Sequence, residues 1–300
     1  MTIYFMSQLL GAVDLGGTKI ISAVFTADCE IIGPPVETPT HARSNPEAIL
    51  ENIRHNFNQA LEASGKSIKD ILCLGIGVPT TIQYDKGLID GSPNLPTMTD
   101  FPLADKLSGK MGIPVVMEHD SGCFILGELV RGAVAGCEDC CGVTIGTGLG
   151  LGLVLGGKLL YGAQACAGEI WKCPYSGDIL ENHVSGSALA RKYKEKNGKE
   201  LSGREVYEKA SEGDSLSLEL FRELGLALGH GLSYLVNILN PEKIVIGGSV
   251  AGAWDFFIGQ ALEVIDKHRV ERNSTEIVKS KLGKLAPLYG AAMRAEKITV

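Results

Sequence analysis

The hydrophobic positions of this chain fall into two patterns: short apolar runs that predict strands, and longer stretches at helical spacing. Apolar runs at 9–15, 19–25 and 30–32 follow one another closely, which is typical of a meander of antiparallel strands. Apolar residues between Ile49 and Leu61 recur at helical spacing, which predicts a helix. The elements expected next are buried strands at 71–78 and 114–117 and a helix over 122–134. This alternation predicts an α/β domain with a mixed sheet.

The same pattern begins again near the middle of the chain. A strand at 142–145, a glycine-rich turn at 146–148 and a strand at 149–155 repeat the order found at 11–25, which predicts a structural duplication. Beyond them we expect helices across 187–239, a short strand at 243–246 and a closing helix at 285–295. No low-complexity linker separates the halves, so we expect them to pack closely around a cleft.

The composition restricts the class of protein. The chain has 300 residues, of which 45% are hydrophobic and 21% charged. These values are typical of a soluble globular protein of about two domains, and they exclude a disordered chain or a membrane-spanning body. The net charge of −7 argues against a nucleic-acid partner, whose binding surface on the protein would be basic.

The N-terminus and the cysteines indicate the compartment. The first basic residue is Lys19, so the start of the chain lacks the charge of a signal peptide, and we expect a cytoplasmic protein with no membrane partner. The eight cysteines should then be reduced. Cys137, Cys140 and Cys141 contain one C-x-x-C pair, but no second pair stands at the spacing of a zinc site. We interpret them as a surface loop with reduced thiols.

Three glycine-rich turns follow strands and are candidate phosphate or nucleotide sites. Glycines let backbone N–H groups approach an anion closely, a threonine adds a hydroxyl donor, a lysine adds positive charge, and an aspartate can hold a metal-bound water. The first turn contains Asp14, Gly16, Gly17, Thr18 and Lys19; the second contains Gly146, Thr147 and Gly148; the third contains Gly247 and Gly248. The alternative for the first turn is a plain hairpin turn with a satisfied aspartate.

Other nucleotide signatures are absent, and one carboxylate stands out. The sequence 65–67 resembles the tail of a P-loop, but Ala60 occupies the position of the required glycine, and no dinucleotide-binding G-x-G-x-x-G stands between a strand and a helix. Asp120 follows a predicted strand and precedes a helix, which suits a general base that takes a proton from a sugar hydroxyl. The alternative is a helix N-cap.

An ordered set of motifs covers residues 11–295. In chain order they are 14–19 (DLGGTK), 75–79 (GIGVP), 92–96 (SPNLP), 119–120 (HD), 146–150 (GTGLG), 168–169 (GE), 239–241 (LNP) with 246–248 (IGG), and 289–292 (YGAA). With these motifs the chain resembles the ROK family of sugar kinases and sugar-responsive repressors, within the actin and hexokinase superfamily of ATPases. The resemblance implies two actin-like (ribonuclease H-like) α/β domains, each a mixed sheet with flanking helices.

The resemblance also implies domain limits and site roles. The N-terminal domain is expected at 1–121 with the closing helix 286–300, the C-terminal domain at 122–285, and the assembly is expected to be a homodimer. Loops 16–19 and 146–148 would hold the phosphates of ATP with Mg²⁺, Gly247 and Gly248 would border the adenosine, and Asp120 matches the catalytic base. The positions expected at the sugar are Gly77, Asn94, His119, Asp120, Glu169, Lys172 and Glu181.

The chain departs from the family pattern beside the proposed sugar site. His119 replaces an asparagine, and Trp171 and Lys172 replace a glycine and a histidine. The cysteine-rich zinc motif of the family retains only Cys173, so we expect no structural zinc. Trp171 and Tyr175 are expected to order the segment 170–182 by packing instead.

Three functions are open. The first is ATP-dependent phosphorylation of a hexose, with glucose to glucose 6-phosphate as the default and N-acetylmannosamine or N-acetylglucosamine as close rivals. The second is a sugar- or nucleotide-binding protein with impaired or altered catalysis, suggested by His119, Trp171 and Lys172. The third is a repressor, which the acidic charge and the early phosphate loop disfavour.

Overall fold

Residues 9–296 are described by the structure, a computed structural model. Contacts divide the chain into two compact units. Unit one comprises the chain up to Ala135, the segment Tyr161–Ala167 and the chain from Lys284 onward. Unit two comprises Gly136–Leu160 and Gly168–Gly283.

Unit one contains a five-stranded mixed sheet. Its strands and helices are β1 Leu9–Leu15, β2 Lys19–Thr26, β3 Ile31–Pro39, α1 Pro46–Ser64, β4 Ile71–Val78, β5 Ile82–Gln83, β6 Leu88–Ile89, α2 Leu103–Met111, β7 Val115–His119 and α3 Asp120–Arg131. The sheet order is β3-β2-β1-β4-β7, with β5 and β6 forming a separate hairpin. The first three strands are antiparallel, as the meander predicts, whereas β1, β4 and β7 are parallel.

Unit two repeats this topology. Its elements are β8 Cys140–Ile145, β9 Leu149–Leu155, β10 Lys158–Leu159, β11 Pro174–Tyr175, β12 Asp178–Ile179, α4 Gly186–Asn197, α5 Gly203–Ser211, α6 Ser215–Leu239, β13 Lys243–Gly247, α7 Trp254–His268 and β14 Glu276–Lys279. The sheet order is β10-β9-β8-β13-β14, again with an antiparallel meander beside parallel strands. The predicted duplication is therefore confirmed at the level of topology.

The last helix, α8 (Ala286–Glu296), completes unit one by packing on both the sheet and α3. Three glycines make this contact possible, because a Cβ at any of them would overlap with a backbone carbonyl oxygen. Gly75 of β4 meets Ala291, Gly127 of α3 meets Ala286, and Gly290 of α8 meets Cys123. Glycine is required at these positions by close backbone approach rather than by a left-handed conformation.

Local sequence signals account for the limits of α1. The Asn45 side chain accepts a hydrogen bond from the backbone N–H of Ala48 at 2.8 Å, and Pro46 stands in the first turn. Gly65 ends the helix in the left-handed conformation, with φ at 67°. The face that includes Ile53 and Phe57 is fully buried and joins the core between α1, α2 and the sheet.

The cysteine interpretation needs a correction. Cys137, Cys140 and Cys141 do not form a surface loop, because all three are buried, and the last two open the interior strand β8. All eight cysteines are free thiols.

The helices α2 and α7 and the edge strand β14 had no separate prediction. The expected domain limit fell at 121/122, inside α3, and this helix packs on α8 within unit one. Within residues 9–296, no helix combines the length and apolar character needed to cross a bilayer.

The glycine contacts under α8 make a testable prediction. Gly75→Ala is expected to destabilise the protein by about 1–3 kcal/mol or more, because the new methyl group would force β4 and α8 apart. Gly109→Ala, in the solvent-facing part of α2 with nothing within 4 Å of the new Cβ, is the control and is expected to stabilise by up to about 1 kcal/mol. Urea unfolding measures both values, and equal effects of the two variants would contradict the packing argument.

Candidate functional site

Two carboxylates meet at one edge of the sheet in unit one. Asp14 is at the end of β1, paired across from Gly77 of the parallel strand β4. Asp120 is the first residue of α3 and follows β7, which is parallel to β4 on its other side. Because the carboxyl ends of parallel strands share an edge, Asp14, Gly77 and Asp120 are brought together. The sequence had predicted all three for the site.

The environment of Asp14 perturbs its ionisation. Burial raises the pKa of the Asp14 carboxyl from 3.8 to about 7, the negative charge of Asp120 adds to this rise, and the positive charge of Lys19 opposes it. An aspartate with a pKa near neutrality, beside a second carboxylate, is typical of functional sites rather than of a hairpin turn.

The turn 16–19 has a fixed shape. The backbone N–H of Gly16 donates to the carbonyl of Lys19 at 2.9 Å, and the Thr40 hydroxyl donates to the carbonyl of Gly16 at 2.6 Å. A Cβ at Gly17 would lie 3.1 Å from the Cβ of Asn94, so the structure also places the predicted sugar residue Asn94 against this turn. The ammonium of Lys19 lies 3.1 Å from the Glu37 carboxylate, an exposed pair of little strength.

His119 and Asp120 form the junction between β7 and α3. His119, not Asp120, occupies the N-cap position, so the cap alternative for Asp120 is wrong in position. Oδ1 of Asp120 accepts a hydrogen bond from the backbone N–H of Ser121 at 2.6 Å. Nδ1 of His119 lies 2.7 Å from the Ser121 hydroxyl and 3.2 Å from Oδ1 of Asp120. His119 therefore touches the predicted base directly.

Unit two contains a cavity of about 640 Å³ beside its first glycine turn. Gly146 and Thr147 line it, as expected for this turn. The other lining residues come from α4, α5, α6 and the segment after β13: Gly186, Ser187, Leu189, Ala190, Ser202, Gly203, Arg204, Tyr207, Phe221, Ser249, Val250, Gly252 and Ala253. A cavity of this size and largely apolar lining suits a nucleoside.

The residues of this cavity were partly missed by the sequence argument. Gly247 and Gly248 do not line it; the residues that follow them do. Gly248 has φ at 88°, and a Cβ there would overlap with the backbone of Ile145, so its role is to let β13 turn closely past β8. Arg204 and Tyr207 belong to α5, whose sequence carries no recognisable nucleotide motif.

Three of the predicted sugar residues make protein contacts in unit two. Oε2 of Glu181 accepts a hydrogen bond from the backbone N–H of Leu149 at 2.8 Å and lies against Gly148, so this carboxylate buttresses the glycine turn. The carboxylate of Glu169 accepts a hydrogen bond from the Trp171 indole N–H. The Lys172 ammonium lies 4.6 Å from the centroid of the Trp171 ring, a cation–π contact.

Aromatic ring contacts occur at Tyr175 in the segment 170–182, one of the two residues expected to order it by packing. Tyr175 packs between two histidines, with ring centroids 5.0 Å from His183 and 5.5 Å from His230. Tyr175 is also part of the short β11–β12 hairpin. Among residues 9–296, no group of three or more His, Cys, Asp or Glu side chains is placed to hold a metal ion.

Comparison with known proteins identifies the family of this chain. The sequence profile of the ROK family matches residues 10–298. The chain belongs to the ROK family. The glucokinase of Halalkalibacterium halodurans is 34% identical to this ROK protein over 270 residues, which cover 81% of each chain.

Solved structures give the same answer for the fold. A ROK hexokinase from Thermus thermophilus has 28% sequence identity and a TM-score of 0.81, covering 97% of this chain and 99% of its own. A ROK family glucokinase from Streptomyces griseus, solved with glucose and AMPPNP, has 26% identity and a TM-score of 0.82, covering 96% and 99%. The expected actin-like α/β fold is confirmed.

The raised pKa of Asp14 makes a prediction about stability. Between pH 4 and pH 7 the folded state keeps a proton on Asp14 that the unfolded state loses, so the contribution of this group to stability falls as pH rises and is lost above about pH 7. The loss is at most roughly 4 kcal/mol. Asp14→Asn removes this pH dependence. The free energy of unfolding of the variant, relative to that of the wild type, is therefore expected to rise from pH 5 to pH 8.

Urea unfolding of both proteins without ligands, in the presence of a chelator, measures this difference. Asp28→Asn, at an exposed position, is the matched control and is expected to follow the wild type. A stability difference between Asp14→Asn and wild type that is constant with pH would contradict a raised pKa.

The ring contacts of Tyr175 lead to a second prediction, that the protein folds without structural zinc. Elemental analysis of the purified ROK protein is expected to find no stoichiometric zinc, and a chelator is expected to leave the melting curve unchanged, because aromatic packing orders this segment. Tyr175→Ala is expected to destabilise the protein by about 0.5–3 kcal/mol. Tyr175→Phe keeps the edge-to-face and tilted ring contacts and is expected to stay near wild type. A chelator-induced fall in melting temperature would contradict the prediction.

Proposed function

We propose that this ROK protein transfers the γ-phosphoryl group of ATP to a hexose hydroxyl, with Asp120 as the general base. The observation that carries the proposal is the pairing of Asp120 with Asp14, whose pKa is raised, beside the glycine turn 16–19 in one unit. Further support comes from the S. griseus relative, a glucokinase solved with glucose and an ATP analogue. Glucose is the expected substrate, with N-acetylhexosamines as rivals.

The two aspartates have different tasks in this mechanism. Asp120 accepts the hydroxyl proton as the sugar oxygen forms its bond to the γ-phosphorus, and the bond to the leaving ADP oxygen breaks. Asp14 is held back from ionising by burial and by the charge of Asp120, so the site carries less negative charge than two ionised carboxylates would give.

The backbone turns and the cavity supply the binding functions. The N–H groups and threonine hydroxyls of turns 16–19 and 146–148 are donors suited to phosphate oxygens. The cavity of about 640 Å³ in unit two would take the adenosine. The proposed sugar residues in unit one are Gly77 and His119, beside Asp14 and Asp120, and Asn94, which lies against the turn 16–19. Those in unit two are Glu169, Lys172 and Glu181. For Glu181, this role would add to its contact with Leu149.

Mg²⁺ fits the residues present. In proteins it is held by one or two carboxylates together with phosphate oxygens and waters, so a cluster of protein ligands is not required. Asp14, at the end of β1 beside the glycine turn 16–19, would hold a water of the ion through its carboxyl group. When bound, Mg²⁺ would neutralise charge on the transferring phosphates.

A second function has a specific observation in its favour. The Trp171 indole N–H donates a hydrogen bond to the Glu169 carboxylate, and the Lys172 ammonium lies over the indole ring. Trp171 and Lys172 stand where the family pattern has a glycine and a histidine. This arrangement suits a sugar-binding protein with altered or absent catalysis. The expected homodimer and the cytoplasmic location stay predictions.

Release of ADP with a panel of hexoses tests the two functions against each other. Turnover with at least one sugar, and a fall of about 10²–10⁴-fold in kcat for Asp120→Asn, are expected of a kinase with this base. The nucleotide dissociation constant, measured by calorimetry, should change little. Asp105→Asn, exposed in the first turn of α2, is the control and should keep wild-type turnover.

Two outcomes would contradict the proposal. Near-normal turnover of Asp120→Asn would remove Asp120 as the base. Sugar binding by the wild type in calorimetry, without ADP release for any sugar, would support the binding-protein alternative.

A further inference from the structure

A buried carboxylate, Glu118, stands two residues before the proposed base and has no role in the chemistry described above. It lies on β7, and only 1% of its surface is exposed. Burial of a charged carboxylate is costly unless charges and hydrogen bonds compensate it. The partners of Glu118 therefore indicate what this residue is for.

Four groups surround the Glu118 carboxylate. The Tyr84 hydroxyl donates to Oε1 at 2.5 Å, and the Tyr161 hydroxyl donates to Oε2 at 2.6 Å. The backbone N–H of His119 donates to Oε1 at 2.9 Å. Nε of Arg294 lies 3.0 Å from Oε2, an ion-pair contact without the alignment of a hydrogen bond. The carboxylate is thus both hydrogen-bonded and electrostatically neutralised.

The two tyrosines are locked as donors. Their rings pack edge to face, with centroids 5.1 Å apart. Burial and the charge of Glu118 raise the pKa of both hydroxyls well above the usual range for tyrosine, so both stay protonated.

These partners come from separate parts of unit one. Tyr84 is in the β5–β6 hairpin, Tyr161 begins the segment Tyr161–Ala167, and Arg294 is on α8. The side chains of all three meet at the Glu118 carboxylate, two residues before Asp120. Glu118 also lies close to the start of α3, since a Cβ added at Gly122 would be 2.9 Å from its Oε1. The carboxylate therefore accepts a hydrogen bond from the His119 amide and leaves room only for a glycine in the first turn of α3.

We propose that Glu118 is a positioning residue that fixes the direction in which Asp120 leaves β7. It acts through the His119 backbone and the first turn of α3, and it receives its own orientation from Tyr84, Tyr161 and Arg294. This inference rests on the proposed function, because Asp120 must be the base for its direction to matter. A displacement of a reacting group by about 1 Å can cost on the order of 10²-fold in rate.

The kinetic test compares Glu118→Gln, just before the start of α3, with a matched variant in the last turn of that helix. Glu128 is also fully buried, and its Oε2 accepts the Ala133 N–H at 2.7 Å beyond the end of α3. Glu118→Gln is expected to lower kcat by about 10- to 100-fold with the KM for ATP changed less than about twofold. Glu128→Gln is expected to lose stability but to keep kcat.

A double-variant cycle separates positioning from a purely structural role. If Glu118 acts through Asp120, Glu118→Gln is expected to add little to the loss already caused by Asp120→Asn, since residues that act as a unit are not additive. Full additivity would overturn the proposal. Tyr84→Phe, which removes only the hydroxyl donor, is expected to lower kcat by less than Glu118→Gln does. Combined with Asp120→Asn, it is expected to cause no further fall in kcat.

A measurement without turnover keeps the two proposals distinguishable. Hydrogen exchange of the peptide that contains residues 117–124 is expected to be faster in Glu118→Gln than in wild type and unchanged in α4. Unchanged exchange together with wild-type kcat would overturn the role of Glu118. If the wild type phosphorylates no sugar, the proposed function fails, and the exchange result alone decides whether Glu118 holds the junction.

Discussion

The close approach of α3 and α8 in unit one is the constraint on which much of the structure depends. The two helices contact each other through backbone at Gly127 and Gly290, and α8 contacts β4 through backbone at Gly75. Side chains at these positions would push the helices and the sheet apart, so the approach is set by atoms that cannot change rotamer. Packed interiors transmit such displacements because they contain few voids.

The packing of α3 against α8 also positions the carboxylates of Asp120 and Glu118, because Asp120 begins α3 and a residue near the end of α8 contacts Glu118. Asp120 is the first residue of α3, so the placement of that helix sets the placement of Asp120. Arg294 is in the last turns of α8, from which it meets Glu118 under the β7–α3 junction. The pairing of Asp14 with Asp120 is thus a consequence of helix packing as much as of the sheet edge. Burial is the main cause of the raised Asp14 pKa, and the charge of Asp120 adds to it.

Sequence patterns predicted the elements whose signals are local. The glycine turn after β1, the buried strand β4 and the start of α3 beside Asp120 each have a run of residues that specifies them. The contacts of Glu118 could not be predicted this way, because Tyr84 and Tyr161 are 34 and 43 positions away and carry no motif. Arg204 and Tyr207 at the cavity were missed for the same reason, since they reach it only through the packing of α5. The interpretation of Cys137, Cys140 and Cys141 as a surface loop was wrong, because Cys140 and Cys141 open an interior strand and Cys137 is buried beside it.

The return of α8 to unit one has a consequence for synthesis of the protein. The ribosome completes residues up to Ala135 well before it reaches Ala286, and all of unit two is made in between. At typical elongation rates this interval is roughly 10–30 s, during which the α8-facing surfaces of β4 and α3 have no partner. Unit two, by contrast, is complete as soon as Gly283 has been added. The nascent chain is therefore expected to finish folding in its middle first, with its N-terminal portion exposed to chaperones until α8 has been made.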